Sequence, residues 1–514
     1  MQAQKHTFNL SAVTLVILAG AAVKFALHLY VAPGYGLFGD ELYTIALSKH
    51  LAFGYVDLPP LVPALMALSR ALLGESPFAY RIVPALAGAV TLVLACLITS
   101  EFGGKAFAVA LSALGFIVTP VWLSVDSVFC YDGIDQMILA GFLYALVRFL
   151  RTGNRRLWLL LGVIAGLACN TKMTILFLGP GFLAALLASR HRRDLLTPWP
   201  WLGAAICLLM VTPYLLWQSA NHWPTLEYWN NYGAARVYQA SLAQYLVNIL
   251  VYMNPFLLPV WLLGLSRLFR RLDGIDYSFL GILFGVTLAL MFVLHASARM
   301  LAELFVPLLA AGAVMVEELL GGLRRAKWLK AAAAVYLLAV GIYILPVSLP
   351  ILTPQQLKTY TQNFMPSPLI VKEFNGMSFS TSPVLAGRLG WDELTQDVAA
   401  VHACLSEQDR AVAGIYADSY MPAGAIDLLG PQYGLPQAVS GHLTYYLWGP
   451  RYSWQVMIII TNKTNNMAVF FETCQLGAVR PRRDDTLGGD LYIYVCRDPK
   501  VPADRLWLSM KSYR

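Results

Sequence analysis

The sequence predicts a polytopic α-helical membrane protein of about eleven transmembrane helices, followed by a C-terminal extracytoplasmic α/β domain. Three observations carry that prediction. Of the 514 residues, 58% are hydrophobic and only 13% charged, whereas a soluble domain carries about 25% charge. Mean hydropathy is +0.59, which excludes a single soluble globule, a disordered chain and a disulfide-dense secreted scaffold. The apolar residues also form runs of span length up to about Pro350, and the composition changes after it.

At about 20 apolar residues per span, the helices fall at 10–32, 82–100, 106–124, 134–150, 157–171, 173–189, 200–218, 246–266, 278–297, 301–320 and 330–350. The first lacks an A-x-A cleavage site and reads as an uncleaved anchor. The fifth and sixth are short, and their fusion would change the parity. The loops give an independent check, because cations mark the cytoplasmic side. With Lys5 inside, the inside loops hold Lys105, Arg151/Arg155/Arg156, Arg190/Arg192/Arg193, Arg267/Arg270/Arg271 and Arg324/Arg325/Lys327/Lys330. The outside loops hold only Lys49, Arg70, Arg81, Lys172, Arg236 and Arg299. Eleven spans preserve this bias and put the C-terminus outside.

The net charge of +8 is therefore an orientation signal, not a nucleic-acid patch. Residues 355–514 balance 14 basic against 14 acidic side chains, so the excess lies in 1–354. Residues 1–353 form the transmembrane unit, with a first outer loop at 33–81. Residues 354–514 form the α/β domain, with β-rich runs at Ala411–Ala417, Gln455–Thr461 and Leu491–Cys496 and a helix-like stretch at Trp391–Leu405. Cys96, Cys130, Cys169 and Cys207 lie in or beside apolar runs and read as buried small hydrophobes. Of Cys404, Cys474 and Cys496, the last two could form a disulfide if this part is extracytoplasmic.

Once oriented, the unusual polar groups cluster on one face. The first outer loop contains Phe38-Gly39-Asp40-Glu41-Leu42-Tyr43 and Gly54-Tyr55-Val56-Asp57-Leu58-Pro59-Pro60-Leu61. The next contains Asp126, Asp132 and Asp135. Acids beside long apolar helices are costly and tend to be paired or functional. Lys172 sits in the minimal turn Asn170-Thr171-Lys172, which has no need of charge, and Arg81 and Arg299 stand at other helix ends. Carboxylates could activate a hydroxyl or hold a metal, while cations stabilise a departing phosphate. Plainer roles compete: Asp40-Glu41 suit a helix N-terminus before Leu42–Leu51, Asp132 or Asp135 could cap the fourth helix, and Lys172 and Arg299 could snorkel to headgroups.

The two first-loop motifs resemble those of bacterial GT-C membrane glycosyltransferases of the protein O-mannosyltransferase (family-39-like) superfamily, which includes the lipid A aminoarabinose transferases. The likeness continues through Arg81-Ile82-Val83-Pro84-Ala85, Arg151-Thr152-Gly153-Asn154 with Trp158, Asn170-Thr171-Lys172 and Asn221-His222-Trp223-Pro224-Thr225. It reaches the tail at Ala423-Gly424-Ala425-Ile426-Asp427 and Ser440–Gly449. The resemblance implies inverting transfer of one sugar from a polyprenyl-phosphate donor to a hydroxyl of a glycolipid, polysaccharide or protein, at the periplasmic face of the bacterial inner membrane. It makes Asp40 the general base with Glu41 beside it, and Asp135, then Asp132, the second-loop acid. Arg81, Lys172 and Arg299 become the donor-phosphate contacts.

Tyr43, Tyr55, Asp57 and His222 are assigned to substrate and acceptor. So are His442, Tyr445 and Trp448, which with Tyr446 read either as an aromatic surface for stacking on sugar rings or as the aromatic core of the α/β domain. Asp40 and Asp135 could bridge a divalent ion (Mg, Mn, Ca or Zn), although adjacent acids alone do not demand one. Two positions depart from the family: Leu58 replaces a phosphate-contacting Lys before Pro-Pro, and Met300-Leu301 replace an aromatic pair. The expected partners are the lipid-linked donor, the acceptor and membrane lipids, with no nucleic acid, and the chain is expected to act as a monomer. No nucleotide-phosphate loop is visible, which fits energy stored in the lipid–sugar bond. The competing classes are a transporter or flippase of lipid-linked sugar, to which Lys24, His28 and Glu303 within helices would speak, and a non-catalytic envelope assembly protein.

Overall fold

The computed structural model describes residues 11–234, 240–272, 274–365, 382–464, 469–481 and 489–514. Lys5 and Arg236 lie outside these residues. The first half is helical: α1 (Ala12–Val31), α2 (Gly39–Ser48), α3 (Leu61–Leu73), α4 (Pro77–Glu101), α5 (Ala106–Ile117), α6 (Pro120–Val125), α7 (Tyr131–Thr152), α8 (Leu157–Cys169) and α9 (Ile175–Ala188). There follow α10 (Pro198–Ala220), α11 (Pro224–Ala234), α12 (Leu242–Tyr252), α13 (Leu258–Leu268), α14 (Ser278–Val293), α15 (Phe305–Gly321, entered through a 3₁₀ turn at Ala298–Leu304), α16 (Ala326–Ser348) and α17 (Pro354–Phe364).

Every expected span overlies helix, although among the described residues several of these helices are shorter than a full span. Among the described residues, six helices are long and apolar enough to cross a membrane, and α12 with α13 makes a seventh if that bent pair is one span. The expected span 106–124 breaks before Pro120, which lacks the N–H a continuous helix needs. The span 246–266 bends by 89° at Asn254-Pro255. There Asn254 has φ +68°, its side chain accepts from the Phe256 N–H at 3.0 Å, and its Nδ2 donates to the Val118 carbonyl at 2.9 Å. The turn Asn170-Thr171-Lys172 keeps α8 and α9 separate.

Large apolar residues on α10, such as Leu208, Leu209 and Leu216, are exposed, as expected of a face that meets lipid. The arginine-rich loops meet at one end through Arg148 and Arg151 on Glu101 and Arg267 on Glu318. The 25-residue α4 separates that end from Arg81 by about 30 Å at 1.5 Å per residue. Lys24 and His28 serve packing. The Lys24 ammonium pairs with Asp126 at 2.8 Å and donates to the Trp122 carbonyl at 2.7 Å, all out of contact with solvent. His28 sits between the carbonyls of Lys24 and Leu123.

The remaining elements include α18 (Pro383–Ala386), α19 (Trp391–Ala403), α20 (Glu407–Val412), α21 (Tyr420–Leu429), α22 (Thr444–Leu447) and α23 (Ala503–Ser509). A two-stranded ribbon, β1 (Arg271–Leu272) and β2 (Ile275–Asp276), precedes the main sheet of β3 (Ala413–Ala417), β4 (Ala438–Val439), β5 (Val456–Thr461), β6 (Phe471–Arg480) and β7 (Leu491–Pro499). The sheet order is β4-β3-β5-β7-β6. β3 runs parallel to β4 and β5, and β7 runs antiparallel to β5 and β6. β3 and β5 are buried along their whole length, so they appear in the sequence as unbroken apolar runs rather than alternating ones. A disulfide joins Cys474 to Cys496, directly opposed in the β6–β7 register.

Candidate functional site

The site begins at α2. Gly39, Asp40 and Glu41 form its first turn, where acids offset the exposed N–H groups. Successive side chains on a helix point about 100° apart, so the two neighbouring acids face different surroundings. Glu41 turns into the protein, is 0% exposed, and accepts four hydrogen bonds: from the Phe38 N–H at 2.8 Å, the Phe129 N–H at 2.8 Å, and Arg81 Nε and Nη2 at 2.9 and 2.6 Å. Burial alone would raise its pKa, but the Arg81 guanidinium outweighs it and holds the carboxyl below its usual range. Arg81 spends its other donors on the carbonyls of Ala32, Gly34 and Gly36.

This corrects two expectations. Glu41 is an internal counter-ion that closes the start of α2, and Arg81 has no donor left for a phosphate.

Asp40 points the other way and is half-buried. Its Oδ1 accepts from the Tyr420 hydroxyl at 2.7 Å, across 380 residues of sequence. Burial raises its pKa, and the Tyr420 hydrogen bond with the charges of Arg299 and Lys172 partly offsets that rise.

The second-loop acids lie within α7, whose N-cap is Cys130, so neither is the cap. Asp132 pairs through one oxygen with Lys172 Nζ and through the other with Arg299 Nη1 at 3.2 Å. The Lys172 ammonium also lies 4.7 Å over the Tyr131 ring. Asp132, Lys172 and Arg299 all act electrostatically on Asp40. Asp135 sits one turn further along α7, 3% exposed, among Thr174, Lys172, Asp132 and Glu303. Of the two second-loop acids, Asp132 is the one that stands between the cations. Among the described residues no three His, Cys, Asp or Glu side chains gather as a metal cage; Asp40 and Asp135 share Lys172 and Asp132 as charged neighbours.

The residues assigned to the acceptor divide. Tyr43 donates to Asp57 Oδ1 at 2.7 Å and accepts from the Thr444 N–H at 3.2 Å. Asp57 is pushed up to about 7 by burial, against the opposing Tyr43 hydrogen bond. Tyr55 is 1% exposed and closes its own loop through the Leu47 and His50 carbonyls. His222 is exposed in the turn after α10, at φ +61°. The aromatic tail is no stacking platform: Tyr445 is buried and donates to Asp427 at 2.8 Å, and Tyr446 stacks on Trp507. Trp448 is half-buried against Tyr445 and His50. His442 is tied to Tyr420 and to the Arg514 main chain. Tyr55 and Tyr445 are thus buried in supporting hydrogen bonds, while His442 is half-buried.

Sequence reasoning missed Tyr420, Tyr131, Thr444 and Arg388. Arg388 is buried on the Ser127 carbonyl and hydroxyl at 2.8 and 2.6 Å. The available signal for Tyr420 was its place three residues before the tail motif Ala423-Gly424. A Cβ on Gly424 would stand 3.0 Å from the Leu42 backbone and one on Gly39 2.6 Å from Met421 Sδ. Those two glycines let α21 lie on α2 and bring Tyr420 to Asp40.

The fold and this cluster define a largely helical, multi-pass membrane protein with a small C-terminal sheet. Residues 57–217, from Asp57 of the second first-loop motif onward, match the family described as dolichyl-phosphate-mannose-protein mannosyltransferase. The structure of ArnT from Cupriavidus metallidurans bound to undecaprenyl phosphate is similar with TM-score 0.58 and 14% identity, covering 93% of this chain and 97% of that one. Its apo state gives TM-score 0.57 at 14% identity, over 94% and 98% of the two chains. The Archaeoglobus fulgidus oligosaccharyltransferase in its apo form gives TM-score 0.44 at 13% identity, over 72% of this chain and 61% of that one. No curated protein sequence matches this chain.

Proposed function

We propose that the protein transfers a single sugar, with inversion, from a polyprenyl-phosphate donor to a hydroxyl of an envelope glycolipid, polysaccharide or protein at the periplasmic face of a bacterial inner membrane. The observation that carries this reading is Asp40, half-buried and held by one oxygen, beside Lys172 and Arg299 gathered on Asp132. The mannosyltransferase match at 57–217 and the undecaprenyl phosphate bound by ArnT support it.

In this reading Asp40 takes the proton of the acceptor hydroxyl as its oxygen bonds to the anomeric carbon. The bond from that carbon to the phosphate oxygen breaks, and the polyprenyl phosphate leaves with the electron pair. Lys172 and Arg299 receive the resulting charge through charge-assisted hydrogen bonds. Asp132 keeps the two cations together while no phosphate is present. A base pKa raised toward the working pH favours proton abstraction while the group remains ionised enough to act. The prenyl chain stays in lipid while the sugar phosphate reaches the protein rim, which is why the site adjoins helices α7, α8 and α9.

The test is Asp40→Asn in full-length protein in membranes supplied with undecaprenyl-phosphate-linked monosaccharides. Transfer to the membrane acceptor falls about 10²–10⁴-fold if Asp40 is the base. Near-normal transfer removes Asp40 from that role.

A further inference from the structure

The C-terminal region contributes a group to the site itself. Tyr420 is the first residue of α21, and its position is over-determined. Its ring packs on Tyr43 with centroids 4.6 Å apart. Its main-chain N–H donates to His442 Nδ1 at 3.3 Å, and the two rings stack at 5.1 Å. Because Nδ1 accepts, the proton of the neutral ring lies on Nε2, which donates to the Arg514 carbonyl at 2.9 Å.

The strand of contacts continues on either side of His442. Gly441 and Leu443 pair with Ser512. Leu443 is held at φ +50°, a conformation rare in a non-glycine residue that persists only where its surroundings impose it. Thr444, next in the chain, receives the Val56 N–H at 3.0 Å and donates its own N–H to Tyr43. The first outer loop and the C-terminal region are therefore laced together around Tyr420.

A tyrosine so fixed for packing alone would have no reason to end on a carboxylate. Its hydroxyl meets Asp40 Oδ1, and among the described residues Asp40 Oδ2 takes no hydrogen bond.

We propose that Tyr420 is a positioning residue that pins the Asp40 carboxylate by one oxygen and leaves the other for the acceptor hydroxyl. The proposal rests on the reading of Asp40 as the base. A short carboxylate side chain left unpinned samples rotamers in which neither oxygen meets the acceptor, and a misplacement of about 1 Å can cost 10²-fold in rate.

The test is Tyr420→Phe, which keeps the ring and its packing and removes only the hydroxyl. With undecaprenyl-phosphate-linked radiolabelled monosaccharides and acceptor membranes, the maximal rate falls about 10–100-fold and the donor KM stays within about twofold. The acid limb of the pH–rate profile moves to higher pH, because the lost hydrogen bond favoured the ionised carboxylate. In the Asp40→Asn background the same substitution costs nothing further. An unchanged rate and an unchanged acid limb in Tyr420→Phe overturn the proposal.

The infrared titration of the Asp40 carboxyl in full-length protein in detergent, identified by its absence in Asp40→Asn, gives a readout that needs no turnover. A midpoint moved upward in Tyr420→Phe supports the pinning, and an unmoved one overturns it. Absence of sugar transfer by the wild type would instead strike the proposed function, and the infrared result would still decide the role of Tyr420.

Discussion

Adjacent acids at the start of α2 should fail in opposite ways. Glu41→Gln keeps the shape of the side chain but removes its charge and replaces one acceptor oxygen by an N–H₂ donor. The four groups that face Glu41, the N–H of Phe38 and of Phe129 and two guanidinium nitrogens of Arg81, are all donors. Arg81, 1% exposed, is then left with an uncompensated charge. Removing one partner of a buried pair costs about 3–5 kcal/mol, and the misplaced donor adds to that. Asp40→Asn, one residue away, can still accept from Tyr420 through its amide oxygen. Its cost to stability is about 1 kcal/mol or less, while the loss of about 10²–10⁴-fold in transfer corresponds to about 3–5 kcal/mol on the barrier. The assay is denaturant unfolding of the purified full-length protein in detergent, followed by tryptophan fluorescence, alongside transfer at a temperature where each variant is folded. Glu41→Gln as stable as the wild type, or Asp40→Asn as unstable as Glu41→Gln, would refute the division of labour between the two acids.

Other outcomes follow from the same geometry. Lys172→Met, with Arg299 still paired to Asp132, raises the donor KM about tenfold or more while the protein melts within a few degrees of the wild type; an unchanged KM in steady-state kinetics removes Lys172 from the phosphate. Asp57 binds its proton more tightly when folded, at about 7, than when unfolded, at about 3.9. Its contribution to stability is thus present at low pH and lost as pH rises through that window; Asp57→Asn flattens this decline in unfolding curves between about pH 4 and 7. The disulfide closes a loop across a separation of 22 residues, so Cys474→Ala with Cys496→Ala lowers the stability of the sheet by about 3 kcal/mol, read by thermal unfolding with and without reductant.

The helical layout was legible because hydrophobic runs of span length leave few alternatives. Each expected span overlies helix, and the strands at 413–417, 456–461 and 491–499 lie inside or along the apolar runs read for them. What escaped was governed by tertiary contacts. Pro120 and Pro255 mark breaks, yet Pro84 and Pro213 lie within continuous helices, so proline alone does not tell a break from an uninterrupted span. β6 has a mostly exposed pattern and gives little hydrophobic signal.

The site divides in the same manner. The first-loop acids, Lys172 and Arg299 were visible as charges with no business beside lipid. Which of Asp40 and Glu41 faces inward depends on where Arg81 returns, 40 residues later. Spacing gives Asp135 and Asp132 only a shared helix face, and it does not tell that the cations pair with Asp132. Tyr420 left only the faint signal of its place before Ala423-Gly424, since its partner is a carboxylate in the first loop. The tail aromatics looked like a sugar platform, but aromatic spacing is the same whether rings stack on a ligand or on one another.

The most direct measurement is mass spectrometry of envelope lipids and proteins from cells lacking the gene, complemented by the wild type or by Asp40→Asn at equal expression. The wild type should restore a species heavier by one sugar residue, and Asp40→Asn should leave it missing. Identical profiles with and without the gene, or full restoration by Asp40→Asn, would contradict the account.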